Sequence, residues 1–400
     1  MKLRCLVLAF AFLFFGVSVV PMLAQAPPSG GGLVSGSSKI SANSRENSNR
    51  TNGLRSRFSG VLQPIFLATP TYEVNGSGAR SVVPADVNQD GAQDLVVTNN
   101  CDALCASGSV DVLLGVGDGT FQPAVSYDSG GFGTSSAAVG DLNGDGLPDV
   151  AVANTCAGDC TNGSVGVLLG IGNGAFAPVA SYGSGGPSSD SVAVADVNQD
   201  GTTDLIVLNQ GDSSVGILLG NGDGTFQPAV IYGAAGQAAT SLAVADLNGD
   251  GKPDLVVASS LNSNYFLNGS VSVLLGNGNG TFQAAVPYDA GGQSTSSVAA
   301  ADVNGDGKPD VLLANGAGSI SVLLGNGDGT LQASLNSDSG APAVSVAVAD
   351  MNGDSKPDFL VATGVGLANV LLGNGDGTFQ PGVGYGSGGL RAISVVNPLA

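Results

Sequence analysis

The sequence contains no histidine and no tryptophan, and only 5% of its residues are aromatic and 11% charged. Without histidine, the chain lacks the usual general base at neutral pH and the commonest zinc ligand. Its two glutamates, Glu46 and Glu73, precede residue 80, so every later acid is an aspartate. The scarcity of aromatic rings also disfavours a sugar-stacking site. We therefore expect no catalytic residues and no enzymatic activity.

Positive charge is scarce as well. The chain has 12 Lys and Arg against 32 Asp and Glu, which gives a formal net charge of −20. Nucleic acids and anionic membranes are bound by basic surfaces. We therefore expect neither as a partner, and no membrane insertion once the N-terminal segment has been removed.

The N-terminus predicts an export signal over residues 1–26. A short basic start (MKLR) precedes an apolar run over 5–23, and Ala24-Gln25-Ala26 has the small-x-small pattern of a cleavage site. Cleavage can follow Ala24 or Ala26. The alternative is an uncleaved anchor, because about 19 apolar residues can just span a bilayer. We expect an exported protein that resides in the periplasm, on the cell surface or outside the cell.

Beyond the signal, four cysteines form two C-x-x-x-C pairs, Cys101/Cys105 and Cys156/Cys160, in loops rich in Gly, Ser and Asn. In an oxidising compartment this spacing predicts two local disulfides. A zinc site built from all four is the alternative, and no histidine or further cysteine supports it.

One aspartate-rich motif occurs six times. The copies read DVNQDGAQDLVV from Asp86, DLNGDGLPDVAV from Asp141, DVNQDGTTDLIV from Asp196, DLNGDGKPDLVV from Asp246, DVNGDGKPDVLL from Asp302 and DMNGDSKPDFLV from Asp350. A second motif, exemplified by GNGDGTFQ, alternates with the first. A period of about 50 residues indicates one supersecondary unit that is repeated because it cannot bury its own core.

Each repeat predicts four short strands. In the fourth repeat these are SLAVAD (241–246), DLVVAS (254–259), SVSVLLG (270–276) and FQAAVPY (282–288), separated by turn residues. The sequence has no capped stretch with helical periodicity. Four antiparallel strands per period favour an all-β fold, a β-propeller of four-stranded blades. A β-solenoid is the alternative, but its repeats are usually much shorter.

The ends of the repeat region predict seven blades, with six as the alternative. Residues 66–72 (FLATPTY) align with a fourth strand, and residues 392–396 (AISVV) resemble a first strand without an aspartate motif. Together they would form a composite closing blade that leaves no exposed sheet edge. We place the propeller at 53–400, after a flexible Gly/Ser/Asn-rich linker at 27–52.

The pattern D-x-N-x-D-G-x-x-D suits a hard cation. Positions 1, 3, 5 and 9 supply side-chain oxygens, position 7 offers a carbonyl, and glycine at position 6 permits a sharp turn. Calcium fits better than magnesium, which keeps its waters in a rigid octahedron. The alternative is that Asp, Asn and Gly merely form turns. The predicted ligands of about six calcium ions are Asp86, Asn88, Asp90, Asp94, Asp141, Asn143, Asp145, Asp149, Asp196, Asn198, Asp200, Asp204, Asp246, Asn248, Asp250, Asp254, Asp302, Asn304, Asp306, Asp310, Asp350, Asn352, Asp354 and Asp358.

These residues resemble the FG-GAP or VCBS-type repeats of integrin α-subunit propellers and of many secreted bacterial proteins. The resemblance covers residues from about 66 to 400 and rests on the six aspartate motifs and the GNGDGTFQ segments. It implies structural calcium loops and ligand binding through other loops. The predicted seventh blade departs from the pattern because it has no aspartate motif.

We therefore expect a non-catalytic binding or adhesion module for a protein or glycan partner. The alternative is a secreted polysaccharide-binding lectin or a polysaccharide-degrading enzyme on the same scaffold. Connections in an antiparallel meander alternate between the two ends of the strands. Those at the aspartate end hardly vary in sequence, whereas those at the opposite end do, although the variable connections can also be tolerated insertions. Recognition tends to lie on variable loops. The predicted partner site is near Asp102, Asp159, Tyr265 and Phe266.

Overall fold

The computed structural model describes residues 72–102, 107–158, 161–261 and 268–386. These residues form six four-stranded antiparallel sheets and one two-stranded ribbon. The sheets are the blades of a β-propeller, so the predicted all-β fold is confirmed. Among these residues there is no helix with the length and apolarity needed to cross a membrane.

The blades follow one another along the chain. Blade 1 comprises β1 (Ser77–Ala85), β2 (Asp94–Cys101), β3 (Ser109–Leu113) and β4 (Val125–Asp128). Blade 2 comprises β5 (Phe132–Gly140), β6 (Asp149–Cys156), β7 (Ser164–Leu168) and β10 (Ala180–Gly183), with the ribbon β8 (Gly170–Gly172) and β9 (Ala175–Phe176) inserted before β10. Blade 3 comprises β11 (Ser189–Ala195), β12 (Asp204–Asn209), β13 (Ser214–Leu218) and β14 (Val230–Gly233).

Blades 4 to 6 repeat this order. Blade 4 comprises β15 (Gln237–Ala245), β16 (Asp254–Leu261), β17 (Ser270–Leu274) and β18 (Val286–Asp289). Blade 5 comprises β19 (Thr295–Ala301), β20 (Asp310–Asn315), β21 (Ser319–Leu323) and β22 (Leu335–Asp338). Blade 6 comprises β23 (Ala343–Ala349), β24 (Asp358–Thr363), β25 (Leu367–Leu371) and β26 (Val383–Gly386).

The prediction of seven blades is corrected to the six-blade alternative. The described residues form six four-stranded sheets, and each of them contains one aspartate motif. Of the two segments expected to form a composite blade, 392–396 and all of 66–72 except Tyr72 lie outside the described residues. Tyr72 itself is in no strand, and its ring packs edge-to-face on Phe121 of blade 1 at 5.2 Å.

The second strand of each blade is the buried centre of the fold. In β12, Leu205 and Val207 belong to the apolar cluster shared with blade 2, whereas Ile206 and Leu208 belong to the cluster shared with blade 4. Side chains of a strand alternate between its two faces. A blade with neighbours on both sides therefore needs an unbroken apolar second strand, which explains runs such as DLIVLN.

Aromatic pairs join successive blades. A tyrosine in the fourth strand of one blade packs edge-to-face on a phenylalanine of the next, as in Tyr182–Phe226 at 5.4 Å and Tyr232–Phe282 at 5.5 Å. Such a pair contributes about 0.5–1.5 kcal/mol beyond the area it buries. Each blade thus completes its apolar face with residues from its neighbour.

The first strands add polar contacts between blades. Each contains a bulge at the same place, where the register with the second strand shifts. At three bulges the extra residue is Ser135, Thr240 or Ser296, and its hydroxyl donates to a backbone carbonyl of the next blade at 3.1, 3.0 and 3.0 Å. The bulge therefore places a hydrogen-bond donor where two blades meet.

The two ends of the blades differ. At one end, which we call the Asp-loop end, the aspartate motifs connect first to second strands, and the Gly115 amide at the end of β3 donates to Asp94 at the start of β2, 2.7 Å away. At the opposite end, the connection between second and third strands meets the connection between blades, since the Gly108 amide donates to the Gly131 carbonyl at 2.8 Å.

Candidate metal loops

The six aspartate motifs form loops 1 to 6, defined as 86–94, 141–149, 196–204, 246–254, 302–310 and 350–358. In loop 4, the carboxylate of Asp246 at position 1 folds the loop around itself. Its Oδ1 accepts the amide of Gly249 at 2.8 Å, and its Oδ2 accepts that of Gly251 at 2.8 Å. The bond from the position-6 amide to the position-1 carboxylate recurs in all six loops at 2.8–2.9 Å.

Positions 3 and 5 tighten the same turn. Asn248 Oδ1 accepts the amide of Asp250 at 2.9 Å, and Asp250 Oδ1 accepts the amide of Lys252 at 3.0 Å. The Lys252 ammonium also contacts Asp250 Oδ2 at 3.1 Å. Positions 1 and 3 are half-buried and position 5 is exposed. A loop thus presents three oxygen-bearing side chains around one turn, open to solvent.

Position 9 is different because it is fully buried. Asp254 has no exposed surface, and its two oxygens accept the amides of Leu247 at 2.9 Å and Gly276 at 2.7 Å. All six loops repeat this pair of bonds at 2.6–3.0 Å. The position-9 carboxylate therefore ties the loop to the end of the third strand.

The buried carboxylate is electrostatically strained. Burial raises the pKa of Asp254, although the two backbone hydrogen bonds oppose the rise, and the carboxylates of Asp250 and Asp246 raise it further. The same causes raise the pKa of the other position-9 aspartates. The position-9 carboxylate is therefore close enough to those at positions 1 and 5 to be repelled by them, and a cation among them would reverse the sign of that interaction.

The fit to calcium rests on the donor chemistry. Each predicted ligand is an aspartate or asparagine that can offer a side-chain oxygen to a metal ion, and the repulsion between the carboxylates favours a cation. Among the described residues, however, no three acidic or cysteine side chains are grouped as a preformed metal cluster. The 24 predicted ligands are all described, and calcium binding by them stays a prediction.

At two loop positions, 6 and 4, some loops have a non-glycine residue in the left-handed backbone conformation. Ser355, at position 6 of loop 6, has a left-handed φ of 64° where the other five loops have glycine. At position 4, Gln89 and Gln199 also have left-handed φ values, of 59° and 58°. No sequence argument singled out these two glutamines.

The predicted partner site is described only at Asp102. Its amide donates to the Ser107 carbonyl at 2.6 Å, in the connection between β2 and β3. Asp159, Tyr265 and Phe266 lie outside the described residues. So do Cys105 and Cys160, while Cys101 and Cys156 are the last residues of β2 and β6. The two disulfides therefore stay predictions.

Three further charged residues were not predicted. Asp111 in β3 is fully buried and accepts the amides of Asn75 and Gly76 at 2.7 and 3.2 Å, which fixes the chain before β1. Asp190 is the extra residue at the bulge of β11, and Arg80 is the extra residue at the bulge of β1. Burial raises the pKa of Asp190, and the positive charge of Arg80 partly offsets the rise. A signal for Asp111 exists, because the corresponding residues in the next two repeats are glycines, Gly166 and Gly216.

Comparison with solved structures shows the fold. The periplasmic gluconolactonase PpgL of Pseudomonas aeruginosa matches with a TM-score of 0.53 and 18% identity, over 75% of this chain and 84% of that chain. BBS1N, solved in complex with ARL6DN and soaked with mercury, matches with a TM-score of 0.45 and 15% identity, over 81% of this chain and 83% of that chain. At 18% identity, the likeness to PpgL is one of fold alone.

Comparison at the sequence level shows the family. No curated protein sequence matches the chain. The model of the FG-GAP-like repeat matches five segments, which together cover more than half of the chain: 86–152, 155–207, 196–257, 261–313 and 302–361. Each segment contains at least one complete Asp loop or the strands that follow one. The chain belongs to the family of proteins built from FG-GAP-like repeats.

Proposed function

We propose that this chain is an exported, calcium-stabilised propeller that binds a protein or glycan partner and catalyses no reaction. The partner docks at the end opposite the Asp loops. The observation that carries the proposal is the chemical difference between the two ends. The Asp-loop end repeats one hydrogen-bonding scheme six times, whereas the connections at the opposite end differ in length and sequence from blade to blade.

Calcium, when bound, would supply positive charge to the carboxylates of each loop. Positions 1, 3, 5 and 9 would hold it. The loop residues themselves keep the turn compact, because their carboxylates accept the amides of positions 2, 5, 6 and 7. Extracellular calcium modules bind at about 10⁻⁴–10⁻³ M. At ten times Kd each occupied site would stabilise the fold by about 1.4 kcal/mol.

The absence of catalysis is supported by where the acids lie. Most aspartates of the described residues are in Asp loops or in the turns between third and fourth strands. In those turns a threonine hydroxyl donates to the aspartate, as Thr225 does to Asp223 at 2.5 Å. These carboxylates are engaged in holding turns, and the chain has no histidine to act as a base beside them.

Binding is tested with the mature, calcium-loaded protein on a glycan array and against a displayed peptide library. The variant Tyr265→Ala with Phe266→Ala should lose binding to whichever probe the native protein selects. The matched control is Val116→Ala with Ile171→Ala, which removes two apolar side chains that are 58% and 62% exposed at the Asp-loop end. Loss in the control alone, cleavage of an arrayed glycan, or no selected probe in either library would contradict the proposal.

A further inference from the structure

Two of the six Asp loops contact the next loop through the side chain at position 4; separately, the Thr203 hydroxyl of loop 3 donates to the Asp141 carbonyl of loop 2 at 2.8 Å. Gln89 in loop 1 donates from Nε2 to the Gly146 carbonyl in loop 2 at 2.6 Å. Gln199 in loop 3 donates in the same way to the Gly251 carbonyl in loop 4 at 2.8 Å. We call these two bonds the glutamine latches. The other four loops have glycine at position 4 and so have no side chain that could donate: Gly144, Gly249, Gly305 and Gly353.

Each latch binds a peptide group of the accepting loop, and an aspartate of that accepting loop binds the same peptide group. The peptide between Gly146 and Leu147 accepts from Gln89 at its carbonyl, and its N–H donates to the Asp145 carboxylate at 2.8 Å. In loop 4 the corresponding N–H of Lys252 donates to Asp250 at 3.0 Å. The orientation of this peptide in one loop is therefore set jointly by its position-5 aspartate and by the preceding loop.

The donor side of a latch depends equally on its loop. Gln89 has a φ of 59°, a left-handed conformation that non-glycine residues rarely adopt. The following amide, of Asp90, donates to Asp86 at 3.1 Å and to Asn88 at 3.0 Å, and these bonds hold the turn that imposes this φ. A latch can form only while both loops are compact.

We propose that the glutamine latches couple loop 1 to loop 2 and loop 3 to loop 4, so that a cation bound in one loop of a pair raises the affinity of the other. This inference rests on the proposed calcium binding. A cation stabilises the compact loop, a compact loop places the latch, and the latch holds the second loop in the same conformation. By linkage the effect is reciprocal within a pair. Loops 5 and 6 bind independently, because Gly305 has no side chain to reach the Ser355 carbonyl.

A double-mutant cycle tests the coupling. The measured quantity is the rise in melting temperature between excess chelator and excess calcium. Asp90→Asn weakens loop 1 and Asp145→Asn weakens loop 2. If the loops are coupled, each single variant loses the shared coupling, so the double variant loses less than the sum of the two. The reference pair, Asp306→Asn and Asp354→Asn in loops 5 and 6, should be additive.

The latch itself is tested by Gln89→Met, which keeps the side-chain length and the left-handed backbone but removes the donor. In this background loops 1 and 2 should become additive. Should that variant fail to fold, Gln89→Gly, which introduces the residue of four other loops, replaces it. Conversely, Gly305→Gln should make loops 5 and 6 non-additive, since a Cβ built at Gly305 meets no atom within 4 Å.

The outcomes separate the two proposals. Additive losses for loops 1 and 2 in the native background, or non-additivity that survives removal of the Gln89 donor, would overturn the coupling while leaving calcium binding in place. If calcium shifts the melting temperature of no variant, the calcium proposal fails and the coupling fails with it.

Discussion

At the scale of single residues, each position-9 aspartate has a structural role besides the calcium binding that the motif predicts. Asp254 is a predicted calcium ligand, and it is also the acceptor for two buried amides that belong to different elements. Its importance for folding should therefore not depend on the metal.

We predict that Asp254→Asn destabilises the protein even in excess chelator. The new amide cannot accept from both Leu247 and Gly276, and a buried donor left unsatisfied costs about 1–3 kcal/mol. Denaturant unfolding in chelator measures the loss. The control is Asp250→Asn in the same loop, whose side chain is exposed and should change stability in chelator by less than about 0.5 kcal/mol. A loss for Asp254→Asn in chelator as small as that expected of the control would show that position 9 matters only through the metal.

Ser355 gives a second prediction at this scale. Its φ of 64° is unfavourable for a residue with a side chain, so Ser355→Gly should stabilise the protein by about 1 kcal/mol. The reverse change in loop 5, Gly307→Ser, should destabilise it by a similar amount, because Gly307 has a φ of 80° and open space around a built Cβ. Thermal melts of both variants in chelator provide the comparison, and melts that shift in the same direction would refute the strain argument.

The sequence predicts such residues unevenly. Positions 1, 3, 5 and 9 stand out because the motif repeats at a nearly constant spacing. The partners of position 9 do not, because Gly276 lies 22 residues further on and reaches Asp254 only through the strand register. Gln89 finds its acceptor 57 residues away in the next blade. Contacts of this range follow from blade packing and leave no local pattern.

At the scale of elements, the first three predicted strands of each repeat are confirmed and the fourth is shorter than predicted. In blade 4 the prediction covered 282–288, but β18 spans Val286–Asp289. Phe282 makes only an isolated bridge with Gly276, because its ring packs on Tyr232 of the preceding blade. An apolar run therefore marks contact with a neighbour here and not the start of a strand.

The ends of β2 and β6 carry the prediction about cysteines. Both strands have eight residues and end at Cys101 and Cys156, whereas β12 has six and ends at Asn209. We expect Cys101–Cys105 and Cys156–Cys160 disulfides in the exported protein. Because the closed loops are short, each disulfide should stabilise the protein by less than the typical contribution of about 2–4 kcal/mol. Intact mass under non-reducing conditions tests this, and four alkylatable thiols in exported material would contradict it.

At the scale of the whole molecule, the repeat predicts the fold well and the number of blades poorly. Periodicity and strand patterns are local properties, and every repeat shows them independently. The number of blades depends on whether terminal segments form strands, and degenerate segments such as 66–72 show little of the strand pattern. The six Asp loops matched the six described blades, whereas the inferred composite blade had no loop to support it.

The shared electrostatics of the six blades predict an unusual pH dependence for the metal-free protein. Six position-9 aspartates have a raised pKa in the fold, so between the ordinary carboxyl pKa of about 4 and neutral pH the folded state binds more protons than the unfolded state. Stability in chelator should therefore fall as pH rises from about 4 to 7.

Below that range the sign reverses. The pKa values of the turn aspartates Asp118, Asp223, Asp328 and Asp376 are lowered by hydrogen bonds from the neighbouring threonines, so their contribution is lost as they are protonated. Melting temperatures in chelator should pass through a maximum near pH 4, and excess calcium should raise the melts most at neutral pH. A metal-free protein that is most stable at pH 7 would contradict this.

The hydroxyls at the strand bulges imply how such an array can assemble. The bonds made by Ser135, Thr240 and Ser296 to the following blade span 54, 55 and 47 residues of chain. The entropy lost in closing a loop grows only with the logarithm of its length, and here that length is one repeat however many blades precede it. Each blade therefore joins its predecessor against the same entropic barrier. A longer array of this design would fold by repeating one search of about 50 residues rather than by searching its whole length.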